Sequence, residues 1–170
     1  SGRAPSTLSR CSSARGRRRL LAECREPVAG GLGTTTYTRE GAKLCSFRCT
    51  PDELAAAKNA LSELQLDAIN VAIANVRRYH EAQITAPYSV ETTPGVVCER
   101  ILRPIPAVGL YVPAGTAPLP STAIMLAVPA AIAECPRRIL CTPPRPDGTA
   151  DPAVIVAALA CGVTEIYKLG

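Results

Sequence analysis

An α/β fold built on a parallel sheet follows from the carboxyl half of this 170-residue sequence. From Ile105 to Leu169, short apolar, β-prone runs alternate with small-residue helical stretches, in the order strand–helix–strand–helix–strand. So compact an alternation is satisfied by parallel strands joined by right-handed crossovers. A further feature puts helices ahead of this unit, because residues 51–83 carry apolar side chains at helical spacing.

Thr50-Pro51-Asp52-Glu53 predicts the first helix start. Thr50 can cap, Pro51 suits the first helical position, and Glu53 completes a capping box. Leu54, Ala57, Leu61 and Leu64 follow at helical intervals, and Leu66, Ile69, Ile73, Val76 and His80 continue one apolar face. The span 51–83 is thus one long helix or two consecutive ones, ended before Pro87 and Pro94. The run from Ile105 to Val112 (IPAVGLYV) predicts a strand that breaks at the tight turn Pro113-Ala114-Gly115-Thr116. Ser121-Thr122 opens a helical stretch from Ala123 to Ala133. Arg138 to Thr142 is a strand stopped by Pro143-Pro144. Asp151 and Pro152 then start a small apolar helix, closed by Gly162, and Thr164 to Leu169 is the third strand. The division this suggests is 1–50 as a basic, disordered or transit-like segment, 51–91 as a helical region, and 92–170 as an incomplete α/β domain.

Apolar residues make up 47% of the chain and charged ones 19%, enough for one core and unlike a disordered or collagen-like sequence. No run approaches the ~18 apolar residues of a membrane span. The net charge of +5 is unevenly placed, with ten Arg/Lys against three acids in 1–50 and nine against eleven in 51–170. Residues 1–22 hold six Arg and five Ser with no acid, a composition shared by solvated tails and organelle transit segments. The expected location is therefore cytoplasm or plastid. Arg15 to Arg19 could also bind nucleic-acid phosphates, but no aromatic residue precedes Tyr37 to stack on a base. Val28 to Thr36, rich in Gly and Thr, reads as linker.

His80 is the single imidazole, and with no second His its plain reading is a local hydrogen bond at a helix end. Cys45 and Cys49 form the one close cysteine pair, short of the two pairs, or pair plus His pair, of a structural zinc site. Cys98, Cys141 and Cys161 sit in apolar or strand-like runs and are expected to be small buried hydrophobes in a reducing compartment. In an open parallel sheet a ligand sits outside the carboxyl ends of the strands, so the turn after Val112 is the candidate binding site. Spacing alone favours a plain strand-to-helix turn there, because no GxGxxG is present.

Three stretches together resemble one enzyme family: AIANVRRYHEAQ (72–83), TTPGVVCERILRPIPAVGLYVPAGTAPLPSTAIMLAVPA (92–130), and ILCTPPRPDG with the closing CGVTEIYKLG (161–170). They resemble histidinol dehydrogenase over roughly residues 51–170, while 1–50 shows no clear match. The resemblance implies an NAD- and zinc-dependent oxidation of L-histidinol to L-histidine, the last step of histidine biosynthesis, by a homodimer. It implies that the α/β unit is the first half of a Rossmann-like parallel-sheet domain behind a helical N-terminal region. It also implies that Tyr111 contacts NAD, with Pro113, Ser121 and Thr122 as neighbours of the cofactor. The family usually reads GLYxPGG where this chain has Ala114. If that position needs positive φ, alanine costs about 1 kcal/mol.

The family's zinc ligands, its proton-moving Glu-His pair and its histidinol-binding residues match no position in this chain. His80 and the cysteines do not stand at those positions. The expectation is an incomplete, inactive copy of the enzyme, with no catalytic or metal residue of its own. The alternatives are a non-catalytic nucleotide-binding or interaction module, and nucleic-acid binding through the Arg-rich segment. A sheet that stops at three strands also leaves the third strand or its neighbour as an apolar edge, and poor solubility follows.

Overall fold

A computed structural model of the chain describes residues 36–37, 43–44, 46–113 and 117–169. They fall in one compact unit, 35–170. The basic segment, most of the linker, Cys45 and Ala114 to Thr116 lie outside the described residues. Short strands β1 (Thr36–Tyr37) and β2 (Lys43–Leu44) pair antiparallel.

Two helices occupy 51–83 rather than one. Helix α1 (Pro51–Asn59) starts on the anticipated capping box, in which the Thr50 N–H donates to Glu53 Oε2 (2.7 Å) and the Glu53 N–H donates to Thr50 Oγ1 (3.2 Å). Helix α2 (Glu63–Glu81) starts on a second box made by Ser62 and Gln65. That box satisfies main-chain donors a continuous helix would have bonded internally, so the break falls at 60–62.

A hairpin absent from the sequence reading follows. Strand β3 (Tyr88–Thr93) pairs antiparallel with β4 (Val96–Arg100), and Gly95 turns between them at φ +83°. Pro94-Gly95 was the available signal, since a turn needing positive φ takes glycine without strain. Every residue of both strands is exposed.

The α/β unit follows the expected order. Strand β5 (Ala107–Tyr111) leads to α3 (Pro120–Ile132), then β6 (Arg137–Thr142), α4 (Pro152–Ala160) and β7 (Glu165–Lys168). The sheet is parallel in the order β5-β6-β7, with Leu110, Leu140 and Ile166 in one row across it. Those three side chains are buried and share a core with Val112, Ile124, Val128 and Ile155. Gly109, Ile139 and Tyr167 alternate onto the opposite face, outside that core. Helix α1 packs on α4, α2 on α3, and α3 on α4.

One start signal was misassigned. Helix α3 begins at Pro120, and its N-cap Leu119 makes no side-chain cap bond, so Ser121 and Thr122 lie inside the first turn rather than capping it. Helix α4 agrees with expectation: Asp151 accepts from the N–H groups of Ala153 (2.9 Å) and Val154 (3.4 Å). Asp151→Ala should lower stability by about 1 kcal/mol, read as a shift in urea midpoint at unchanged slope. Gly162, at φ +78°, closes α4. Arg138 then spans both helix ends, donating to the Cys135 and Gly162 carbonyls (both 3.0 Å), where a cation meets the negative ends of the helix dipoles.

The sheet edges also differ from expectation. The outer side of β7 is covered by residues 47–49, with Lys168 N–H donating to the Phe47 carbonyl (2.6 Å) and Cys49 N–H to the Ile166 carbonyl (2.9 Å). The open edge among the described residues is β5, two strands away. No described helix is long and apolar enough to cross a membrane.

Candidate functional site

The carboxyl ends of β5, β6 and β7 lie along one side of the sheet. Parallel register sets Tyr111 beside Cys141 and Cys141 beside Tyr167, so these side chains share a face. Tyr111 is 52% exposed. Pro113 is exposed, while Val112 between them is buried and its N–H donates to the Cys141 carbonyl (2.9 Å). Ser121 is exposed and Thr122 half-buried on the first turn of α3, with the Thr122 N–H donating to the Leu119 carbonyl (3.1 Å). The structure thus brings Tyr111 and Pro113 to one strand end, and sets Ser121 and Thr122 on the helix that packs against that strand. Ala114 lies outside the described residues.

The loop after β6 is tied up by its own acids. The Asp147 carboxylate accepts from Thr149 Oγ1 (2.6 Å) and from the Thr149 N–H (2.9 Å), and the Thr149 hydroxyl bond leads in holding its pKa down. Asp151 is committed to the α4 cap.

At the end of β7, Lys168 meets Glu53 at 2.8 Å. This pair had no sequence signal, because its members are 115 positions apart. Its groups are also structural: Glu53 caps α1 while it holds Lys168. Burial raises the Glu53 pKa, but hydrogen bonds from Lys168 and Thr50 and the Lys168 charge outweigh it, and the net shift is downward. Beside them the Cys49 thiol is pushed up to about 11, by burial first and then by the Glu53 charge, so it stays protonated.

The cysteine expectation holds for Cys161, which is buried, and fails for Cys98, which is exposed on the hairpin; Cys141 is half-buried. Strand patterning marked Cys98 as apolar but could not show that neither hairpin face is covered. His80 hydrogen-bonds Gln83 Oε1 (2.8 Å) and sits edge-on to Tyr79, a local role as anticipated. Among the described residues, no group of three or more His, Cys, Asp or Glu is placed to hold a metal ion. Zinc therefore does not fit these residues.

The histidinol dehydrogenase family profile matches residues 27–170. The chain belongs to the histidinol dehydrogenase family. It is 50% identical over 151 residues to the histidinol dehydrogenase of Xanthomonas axonopodis pv. citri, covering 89% of this chain and 35% of that one. The Photobacterium profundum histidinol dehydrogenase is 50% identical over 125 residues, covering 74% of this chain and 27% of its own length. A crystal structure of histidinol dehydrogenase from Elizabethkingia anophelis superposes with a TM-score of 0.74 at 40% identity, over 78% of this chain and 30% of that one. The chain spans about a third of the length of the curated histidinol dehydrogenases it matches.

The match to histidinol dehydrogenases also reaches further forward than the motifs indicated, into residues 27–50. That redraws the charge map. Residues 1–26 hold seven Arg against two Glu, and the matched 27–170 balance at twelve against twelve. The whole net positive charge precedes the part that histidinol dehydrogenases share.

Proposed function

We propose that this chain supplies the cofactor-binding portion of an NAD-dependent histidinol dehydrogenase, in which L-histidinol is oxidised to L-histidine. The observation that supports this most is the position of Tyr111. It stands half-exposed at the carboxyl end of β5, the strand with the open edge among the described residues. In open α/β sheets the ligand crevice lies outside the carboxyl ends of the strands, where strand order reverses. With β7 already covered by 47–49, a reversal falls beside β5.

Tyr111, Pro113, Ser121 and Thr122 fit a dinucleotide. The tyrosine ring offers an apolar face and a hydroxyl, and Pro113 keeps the chain extended beside it. The first turn of α3 carries no side-chain cap, so its positive end and the Ser121 hydroxyl suit a pyrophosphate, and Thr122 adds a second hydroxyl. NAD, when bound, accepts the hydride from the alcohol carbon. The paired proton acceptor and the zinc ligands are assigned to the part of the family enzyme outside the matched third. The family homodimer belongs to the same proposal, as does a division into a leading segment, a helical region and an α/β domain, with β3 (Tyr88–Thr93) running across the boundary at 91 and residues 47–49 pairing with β7 across the one at 50. The location goes with the same proposal: cytoplasm, or plastid in view of the Arg- and Ser-rich, acid-free residues 1–22.

Calorimetric titration of NAD+ into the 170-residue chain should give a saturable heat. Tyr111→Ala should weaken it about tenfold, equivalent to about 1.4 kcal/mol of lost contact. Equal affinities, or no heat from either protein, would overturn the proposal. With histidinol, NAD+ and zinc present, the chain alone should show no turnover above a protein-free blank.

A further inference from the structure

The loop between β6 and α4 holds a chemically reactive pair. Asp147-Gly148 is the one Asp-Gly in the sequence, and no Asn-Gly is present. Glycine has no side chain to shield its amide nitrogen, so that nitrogen can reach the carboxyl group of the residue before it. The other aspartates are worse placed for this. Asp52 lies in α1 and Asp67 in α2, each followed by a residue with a side chain, and Asp151 precedes Pro152, which has no N–H. The loop meanwhile holds Asp147-Gly148 in a clasp. The Gly148 N–H donates to the Arg145 carbonyl (2.8 Å) and the Arg145 N–H to the Thr149 carbonyl (2.7 Å), with Gly148 at φ +81°. Pro146 and Asp147 form the corner of this turn. Asp147 is exposed while Gly148 is buried. The Asp147 carboxylate accepts from the Thr149 hydroxyl (2.6 Å) and the Thr149 N–H (2.9 Å), and both bonds favour its ionised form.

We propose that Asp147 is a site of isoaspartate formation, and that the Thr149 hydroxyl sets its rate. The Gly148 nitrogen bonds to Asp147 Cγ, and one water leaves with a carboxyl oxygen and the amide proton, closing a cyclic imide. Water then opens the ring. Where it adds to the former main-chain carbonyl, the bond from that carbon to the Gly148 nitrogen breaks, and the chain now runs through Cβ and Cγ. The product is an isomer of the starting chain, so no oxidant or reductant is consumed. Each contact of the clasp opposes part of this step. An ionised carboxylate is a poor electrophile, and a buried, hydrogen-bonded amide is slow to give up its proton. The reaction therefore runs from the opened turn, whose population the Thr149 contacts keep low. The isomer lengthens the main chain by one methylene inside the turn, so the Arg145–Thr149 bond no longer closes, just ahead of the Asp151 cap of α4. This inference rests on the loop alone, not on cofactor binding.

The test incubates the 170-residue chain in warm neutral buffer and follows isoaspartate by peptide mapping with mass spectrometry. Labelling by an isoaspartate-specific methyltransferase gives a second readout. Isoaspartate should accumulate at Asp147 ahead of every other aspartate, and about a hundredfold more slowly than in a free Arg-Pro-Asp-Gly-Thr peptide, since two hydrogen bonds to a charged group must open first. Thr149→Val removes one of them and should raise the rate about tenfold. Thr149→Ser keeps the hydroxyl and should return the wild-type rate. Amide exchange at Gly148 should quicken in Thr149→Val while exchange along β6 stays unchanged, which separates an opened turn from an unfolded chain. Urea should bring the wild-type rate up to that of the peptide, a comparison that stands even if Thr149→Val does not fold. A folded chain that isomerises as fast as the peptide, a Thr149→Val chain as slow as wild type, or isoaspartate concentrated at another residue would overturn the proposal.

Discussion

Lys168→Ala is expected to lower the unfolding free energy of the chain by about 3 kcal/mol, the low end for breaking a buried ion pair. The Lys168 side chain is 8% exposed and that of Glu53 21%, so water replaces little of the lost contact. The consequence spreads because Glu53 also caps α1, and the strand that carries Lys168 holds residues 47–49 on its edge. Lys168→Met keeps the apolar stem and should separate lost packing from lost charge. Glu53→Gln keeps an acceptor for the Thr50 N–H but removes the charge. The folded pKa of Glu53 lies below its ordinary value of 4.5. Its ionised form is therefore favoured by folding, and this stabilisation is complete above that ordinary value and lost as pH falls through the lowered folded value. Wild type and Glu53→Gln should differ at neutral pH and converge in acid. Urea melts between pH 7 and pH 2 decide it, and a constant gap across that range would refute the assignment.

Leu140→Ala should be as damaging, at about 3–4 kcal/mol. Leu140 is fully buried on the central strand, between Leu110 and Ile166 in register. Deleting its branch opens a cavity that neither neighbour can fill, since both are held by main-chain pairing. Ile139→Ala, one residue away on the half-buried face, should cost clearly less. Equal losses in denaturant melts would mean that both sheet faces are packed alike, against the burial seen here.

Local rules were strong where one residue settles one bond. The Thr50–Glu53 box, the Asp151 cap and the Gly162 stop are each completed within a few positions, and each formed as read. Leu119 in place of Ser121 or Thr122 as the α3 cap shows the limit. A proline at the first helical position sets the start by its fixed φ, whatever hydroxyls follow. The site was legible to a similar extent. Tyr111 could be placed at a strand end from its run and turn, yet its exposure depends on what covers the sheet. Cys98 failed for that same reason, since alternation in a strand does not say whether either face finds a neighbour.

By itself the sequence determined the helix starts, the alternation of strands with crossovers and hence a parallel sheet, and enough unusual Pro, Gly and Ser/Thr order to name a family. Those are properties of short segments, set by φ restriction, capping and side-chain period. The tertiary structure alone decided that residues 47–49 cover β7, that Lys168 meets Glu53 across 115 positions, and that, among the described residues, β5 is left with an open edge and a bare face. Such pairings join distant segments through main-chain bonds and buried charge. No local pattern encodes them, because every exposed strand edge offers the same donors and acceptors until folding chooses which is filled.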